Sequence, residues 1–215
     1  MEDFPLSKRL ELHALWLKSK GAEGACLDVM GQSFRGIHTH DADLTGACLA
    51  DVDLRRAEMI NTNFIGSDLR GADLRGAHLE GSDFSAASLK GVRFRGAKLN
   101  KANLQYAELA FADLRDTTLA EANLIEADLM CAKLRGVDMS NASLRGAYLC
   151  GADLRGAILT GTDFSYASLL GASLKGAKID RNTNFSNADA SSEDFRDVDS
   201  TILKMENLPA SLSVE

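Results

Sequence analysis

The stretch "GSDLRGADLRGAHLEGSDF", residues 66–84, sets Leu69, Leu74, Leu79 and Phe84 five positions apart. A helix repeats its apolar face at spacings of three and four, and a strand at every second residue. Five helical steps turn through about 500°, so the four side chains would scatter around a helix. On a strand an odd step sends successive members to opposite faces. Neither element can use the pattern, yet it persists: from Leu44 to Ile179 every fifth residue is Leu, Phe, Met or Ile, for 28 consecutive pentapeptides.

With the large apolar residue as position i, the residues at i−2 from Ala42 to Ala177 are 20 Ala, three Val, three Thr and two Ser. Positions i−2 and i share a parity, so both point inward from a short extended segment. Positions i−1 and i+1 point outward, as in Asp68 and Arg70 or Asp73 and Arg75. To bring the next large residue inside, the chain must turn a corner in every pentapeptide. Position i+2 is Gly in 14 of the 28, and Gly accepts the backbone angles of such a corner. Repeated corners make a coil, and stacked coils satisfy one another's backbone groups at a rise of about 4.8 Å. The small residues at i−2 leave room beside each large one.

"ADLRGAHL" (72–79), "ANLIEADL" (122–129) and "ADLRGAIL" (152–159) resemble the pentapeptide repeat family, whose consensus reads A(D/N)LXX. The match runs over residues 42–181. The resemblance implies an all-β fold, a right-handed quadrilateral parallel β-helix with four pentapeptides per coil. Twenty-eight repeats then give seven coils and a rod core of roughly 30–35 Å. Phe34 and Thr39 extend the register backwards, and Phe185 follows Ile179 by six residues, one more than the period. The expected organisation is a capping helix and lead-in over 1–31, a solenoid over 32–199 with an irregular last coil over 182–199, and a cap or tail over 200–215. For the helix, "SKRLELHALWLKSKG" (7–21) offers Ser7 as N-cap and Gly21 as stop, with Leu10, Ala14, Trp16 and Leu17 plugging the first coil.

Composition narrows the function. No apolar run approaches the roughly 20 residues of a membrane span, and the N-terminus lacks the three-part pattern of a secretory signal, so the chain reads as a cytoplasmic protein. Cys26, Cys48, Cys131 and Cys150 form no CxxC pair and read as free thiols. The net charge of −7 argues against direct nucleic-acid binding. There is no Gly-rich phosphate loop, GxSxG or HExxH, and a convex rod offers no pocket for chemistry. A non-enzyme without cofactor or metal is expected.

If residues 20 apart lie above one another, four faces can be read from the sequence. One carries Arg35, Arg55, Arg75, Arg95, Arg115, Arg135, Arg155 and Lys175 in a single column. Between residues 42 and 180 that face holds ten basic and five acidic residues, whereas the whole span holds 16 basic and 18 acidic. This is a candidate docking strip for an acidic partner, with repetition of a 20-residue unit as the alternative origin. The face one pentapeptide before it in the chain carries Ala110, Met130, Cys150 and Leu170 in an outward column flanked by Phe111, Cys131 and Tyr148. That apolar column is a candidate contact for a protein partner or a homodimer. His38, Glu58 and His78 share another column beside His40 and Glu80, but two coils separate the histidines by about 9.6 Å, too far for one ion. The residues thus point to a rigid protein-interaction rod. The family resemblance implies an alternative, a DNA mimic that binds DNA gyrase or topoisomerase IV and protects them from quinolones or other topoisomerase poisons.

Overall fold

In the computed structural model, which describes residues 4–191 with Asp194, Phe195 and Val198, the five-residue period closes into a coil of four pentapeptides. Each residue at i−1 forms a parallel bridge to its counterpart 20 residues later, as along Asp53, Asp73, Arg93, Asp113, Lys133 and Asp153. Two backbone hydrogen bonds make each bridge: Leu54 N–H donates to the Asp73 carbonyl at 2.8 Å, and Asp73 N–H to the Val52 carbonyl at 2.9 Å. Among the described residues the chain forms one helix and no strand longer than a single bridge. The chain bends too soon for more. Bridges begin at Asp28, ahead of the expected start of the solenoid at residue 32.

All 28 large residues from Leu44 to Ile179 are buried, and so are their partners at i−2 except the half-buried end members Ala42 and Ala177. Aromatic members stack along the axis: the rings of Phe64 and Phe84 lie 4.5 Å apart and nearly parallel, as do those of Phe164 and Phe185 at 5.0 Å. Hydroxyls at i−2 do not go unsatisfied. Thr62, Thr117 and Thr162 each donate to a carbonyl of the preceding coil, those of Thr39, Phe94 and Met139, at 2.8–3.1 Å.

Every corner position from residue 46 to residue 176 has a positive φ, 14 at Gly and 13 at other residues. The corner therefore imposes the left-handed conformation whatever side chain is present. A second device sets it up. Where i−1 is Asp or Asn, its Oδ1 repeatedly accepts the N–H of i+1, as Asp43 does from Thr45, Asn63 from Ile65 and Asp113 from Arg115. These Asx turns give position i−1 a structural task beyond its charge.

Helix α1 spans Leu6–Lys18. Its N-cap is Pro5, not Ser7, and no side chain caps it. Pro needs no N–H partner and already holds φ at −60°, so the helix starts without a hydroxyl. The docked face also differs from expectation. Arg9 and His13 are buried, Leu6 and Leu10 pack on the core, and Ala14 is exposed. Arg9 donates to Gln32 Oε1 at 2.8 Å and to the Asp28 carbonyl, and His13 Nδ1 accepts the Leu27 N–H at 3.0 Å. Polar hooks rather than an apolar plug fix the cap. At Gly24 the returning chain passes so close to α1 that a Cβ would collide with the Leu12 carbonyl oxygen.

At the other end the extra residue is absorbed at Asp180, whose Oδ1 accepts N–H groups from Gly161, Asn182 and Thr183 at 2.8–3.1 Å. The ladder then resumes at a step of 21, Asp163 to Asn184 and Ser168 to Asp189, with Phe185, Ala190 and Phe195 buried. The expected cap or tail over 200–215 lies outside the described residues.

Candidate interaction surfaces

The arginines of the column stand one coil apart, but much of their charge is already used. Arg55, Arg75, Arg115 and Arg155 each make a two-pronged ion pair with the Asp two residues before, with N···O distances of 2.6–2.8 Å. Hydrogen bonds from the guanidinium hold the carboxyls of Asp53, Asp113 and Asp153 below the usual carboxylate range. Burial pushes the Asp73 carboxyl up, but its bonds to Arg75 and the neighbouring charge of Arg93 more than offset this and leave it lowered. Asp73 also stands 3.8 Å from both Arg55 and Arg93.

Elsewhere in the column the Asp is missing. Arg35 and Lys175 have Ser33 and Ser173 at that position, while Arg95 and Arg135 have Arg93 and Lys133. Arg95 reaches sideways to Asp116 at 3.3 Å, and Arg135 makes no ion pair with any described residue. Arg95, Arg115, Asp116 and Arg135 border an open cleft of about 250 Å³. The uniform strip is thus a set of internal pairs with one focus of excess charge near Arg93, Arg95, Lys133 and Arg135.

The apolar face gains members that the sequence reading did not include. Tyr106, Phe111, Met130, Tyr148, Tyr166 and Leu170 are 44–60% exposed, and they are six of the eight large apolar or aromatic side chains exposed to that degree among the described residues. All three tyrosines of the chain are in this group. Ala110 is corrected: it is buried, since its methyl sits in the column between the longer Lys90 and Met130 of adjacent coils. Cys131 is exposed at a corner, and Cys150 is half-buried with its Sγ 3.2 Å from Ser168 Oγ. All four described cysteines are free thiols. Lys90 Nζ stands over the Phe111 ring at 5.8 Å from its centroid.

Tyr106, Glu126, Gly146 and Tyr166 form one corner column, and Tyr148 begins the face beside it. Together they border a groove of about 560 Å³. Gly146 makes the opening: a Cβ there would sit 3.3 Å from Glu126 Cγ. The Arg145 guanidinium covers the Tyr166 ring at 5.6 Å. The missed signal was the spacing of Tyr106 and Tyr166 at three coil lengths.

The histidine column holds a direct contact, His38 Nδ1 to Glu58 Oε2 at 2.9 Å. No group of three or more metal-ligating side chains is assembled among the described residues. Among them, too, no helix is long and apolar enough to cross a membrane.

A family model described as "Pentapeptide repeats" matches in eight copies across residues 40–76, 67–105, 107–146 and 142–179. Comparison with curated proteins gave no match. Among solved structures the chain is similar to HetL, a pentapeptide repeat protein involved in heterocyst differentiation regulation from the cyanobacterium Nostoc sp. strain PCC 7120. The two are 31% identical over 80% of this chain and 79% of that one, with a TM-score of 0.43. A trypsin-treated variant of QnrB1, a plasmid-mediated fluoroquinolone resistance protein, is 21% identical over 73% of this chain and 86% of its own, with a TM-score of 0.58.

Proposed function

The chain belongs to the pentapeptide repeat family, and from that premise we propose that it is a non-enzymatic protein-interaction rod of cytoplasmic location whose recognition surface is the tyrosine-rich apolar face. The observation that carries this reading is the gathering of six exposed large side chains on one face and the two corners that bound it. Scattered apolar residues are ordinary on a soluble protein, but a contiguous patch rimmed by polar groups marks a contact surface. We infer with it that the coils wind as the right-handed quadrilateral parallel β-helix of the family, a stiff support that presents the face without rearrangement.

The test compares three immobilised proteins in the same cell extract: the parent chain, Met130→Lys with Leu170→Lys, and Arg95→Glu with Arg135→Glu. The reading expects a partner that is retained by the parent and by the arginine variant and lost from the first. Loss only from the arginine variant would move the recognition surface to the basic cleft. Retention by all three would sink the proposal. Sedimentation of the same proteins asks whether the partner is a second copy.

A second reading follows from the shared fold with QnrB1 and from the acidic balance of the remaining faces, since residues 42–180 hold 18 acidic and 16 basic residues in total while the arginine face alone holds ten basic against five acidic. On this reading the rod occupies the DNA-binding surface of gyrase or topoisomerase IV. Titration into a gyrase supercoiling reaction, with and without a quinolone, decides it. Inhibition, or rescue from the drug, supports the mimic; no effect at low or physiological salt removes it.

A further inference from the structure

We propose that the groove between Tyr106, Tyr148 and Tyr166 binds a proline-rich peptide segment in the polyproline II conformation that carries a basic residue. The inference rests on the reading of the chain as an interaction rod and names the chemistry of the partner.

Three observations lead to it. The first is backbone geometry. Tyr106 and Tyr166 occupy corners with φ of 60° and 61°, a conformation that is unfavourable for a bulky side chain and free for Gly. Gly holds 14 of the 27 corners between residues 46 and 176, so the fold has a cheaper solution. These two rings gain little in return, because they stay 52% and 60% exposed. Thirteen of those corners hold non-Gly residues at a similar φ, so what sets these two apart is a large aromatic ring left in solvent beside the groove.

The second is pitch. Tyr106 and Tyr148 are two coils apart, about 9.6 Å along the axis. A polyproline II helix repeats every three residues, about 9.3 Å. A segment running along the corner would set one turn against Tyr106 and the next against Tyr148, with Tyr166, about one coil further on, flanking the second turn. Proline rings would lie against aromatic faces, with the phenol hydroxyls free to donate to its carbonyls. Such a helix is preformed and loses little entropy on docking.

The third is charge. Glu126 borders the groove between the tyrosines, and Glu108 and Asp128 lie in the same column as Tyr148. Among the described residues the one cation bordering the groove, Arg145, is applied to the Tyr166 ring. A lysine or arginine on the segment would reach Glu126 and the open face of Tyr106. The size also suits a segment rather than a folded partner. The groove is about 560 Å³, the scale of a ligand cleft.

The experiment titrates the full chain with a short synthetic peptide of proline pairs separated by single arginines, followed by calorimetry and tyrosine fluorescence. Saturable binding is expected, weakened roughly tenfold by Tyr106→Gly and by Tyr166→Gly. Both variants should unfold cooperatively with a midpoint no lower than the parent, because Gly relaxes the corner, so weaker binding cannot be put down to misfolding. Replacing the prolines by glycine at constant charge, or the arginines by glutamate, should each weaken binding about tenfold. No saturation by the proline–arginine peptide overturns the proposal, as does equal binding of the glycine peptide or indifference to both tyrosine variants. A dimer that the tyrosine variants dissolve and the peptide does not would assign the face to a second copy and overturn it too. If the peptide fails while partner capture still depends on Met130 and Leu170, only the peptide chemistry is lost.

Discussion

Thr39 occupies a position that Leu or Phe holds in most other pentapeptides, and its hydroxyl is buried without a hydrogen-bond partner. It also lines an apolar void of about 30 Å³ beneath α1, beside Leu6, Leu10 and Phe34. An unsatisfied buried hydroxyl costs about 1–3 kcal/mol. Thr39→Val keeps the shape and removes that cost, so it should raise the chemical-denaturation midpoint; a lower midpoint would show that the hydroxyl has a partner after all. Position i−2 gives the opposite case. Ala127 is fully buried between coils, and Ala127→Leu should destabilise by about 1–3 kcal/mol through overpacking. Arg115→Ala should leave the midpoint almost unmoved, because the pair it breaks is solvent-screened and the Asx turn of Asp113 survives. Equal midpoints for Ala127→Leu and Arg115→Ala would contradict the inside and outside of the coil. The rule relating residue type to position was readable here from the repeat, since burial sorts by parity. The ion pairs within a pentapeptide were not, because charge alone does not say whether Asp53 meets Arg55 or the coil above.

At the scale of the helix, docking depends on one tautomer. His13 Nδ1 accepts the Leu27 amide, so it must be unprotonated, and Nε2 is buried without a partner. Burial lowers the pKa of His13 below its ordinary 6.5, outweighing the opposing pull of Asp43 and of the nearby Thr45 backbone. A base whose folded pKa is depressed favours folding fully above the unfolded value. That contribution fades as the pH falls from about 6.5 towards the folded pKa. The protection factor of the Leu27 amide, which divides out the intrinsic pH dependence of exchange, should therefore fall in that window at constant temperature. It should do so less in His13→Asn, whose amide oxygen can accept without titrating. A protection factor that is flat with pH in the parent would exclude the mechanism. The sequence located this helix but not its docked face. Capping and apolar spacing point to Ser7 and Ala14, while the end of a coil exposes carbonyls and amides that only polar side chains such as Arg9 and His13 can satisfy.

For the whole molecule, stacking makes each coil a unit that touches only its neighbours. Removing residues 113–132, one complete coil, should leave every face in register and give a rod that unfolds cooperatively with a smaller dependence on denaturant. Removing only half that length would set the tyrosine corner against a different face, and the parallel bridges would pair residues from opposite sides. Failure of the full-coil deletion to fold would mean that the coils are not interchangeable. The 20-residue step and the extra residue near 180 were legible in the sequence because both are matters of counting. The groove was not, because the spacing stacks Tyr106, Glu126, Gly146 and Tyr166 in one column but does not say that Gly146 leaves an opening between their side chains.

The detour at Asp180 shows what the coil tolerates. One surplus residue is gathered by a single carboxylate, after which Phe185 and Ala190 return to their columns. An error in length is thereby confined to one bend instead of propagating to the end of the rod. The chain behaves like ruled paper: a line can be lengthened at the margin while the spacing of every later line holds. New segments placed at such a bend would alter what the rod displays locally and leave its graduation intact.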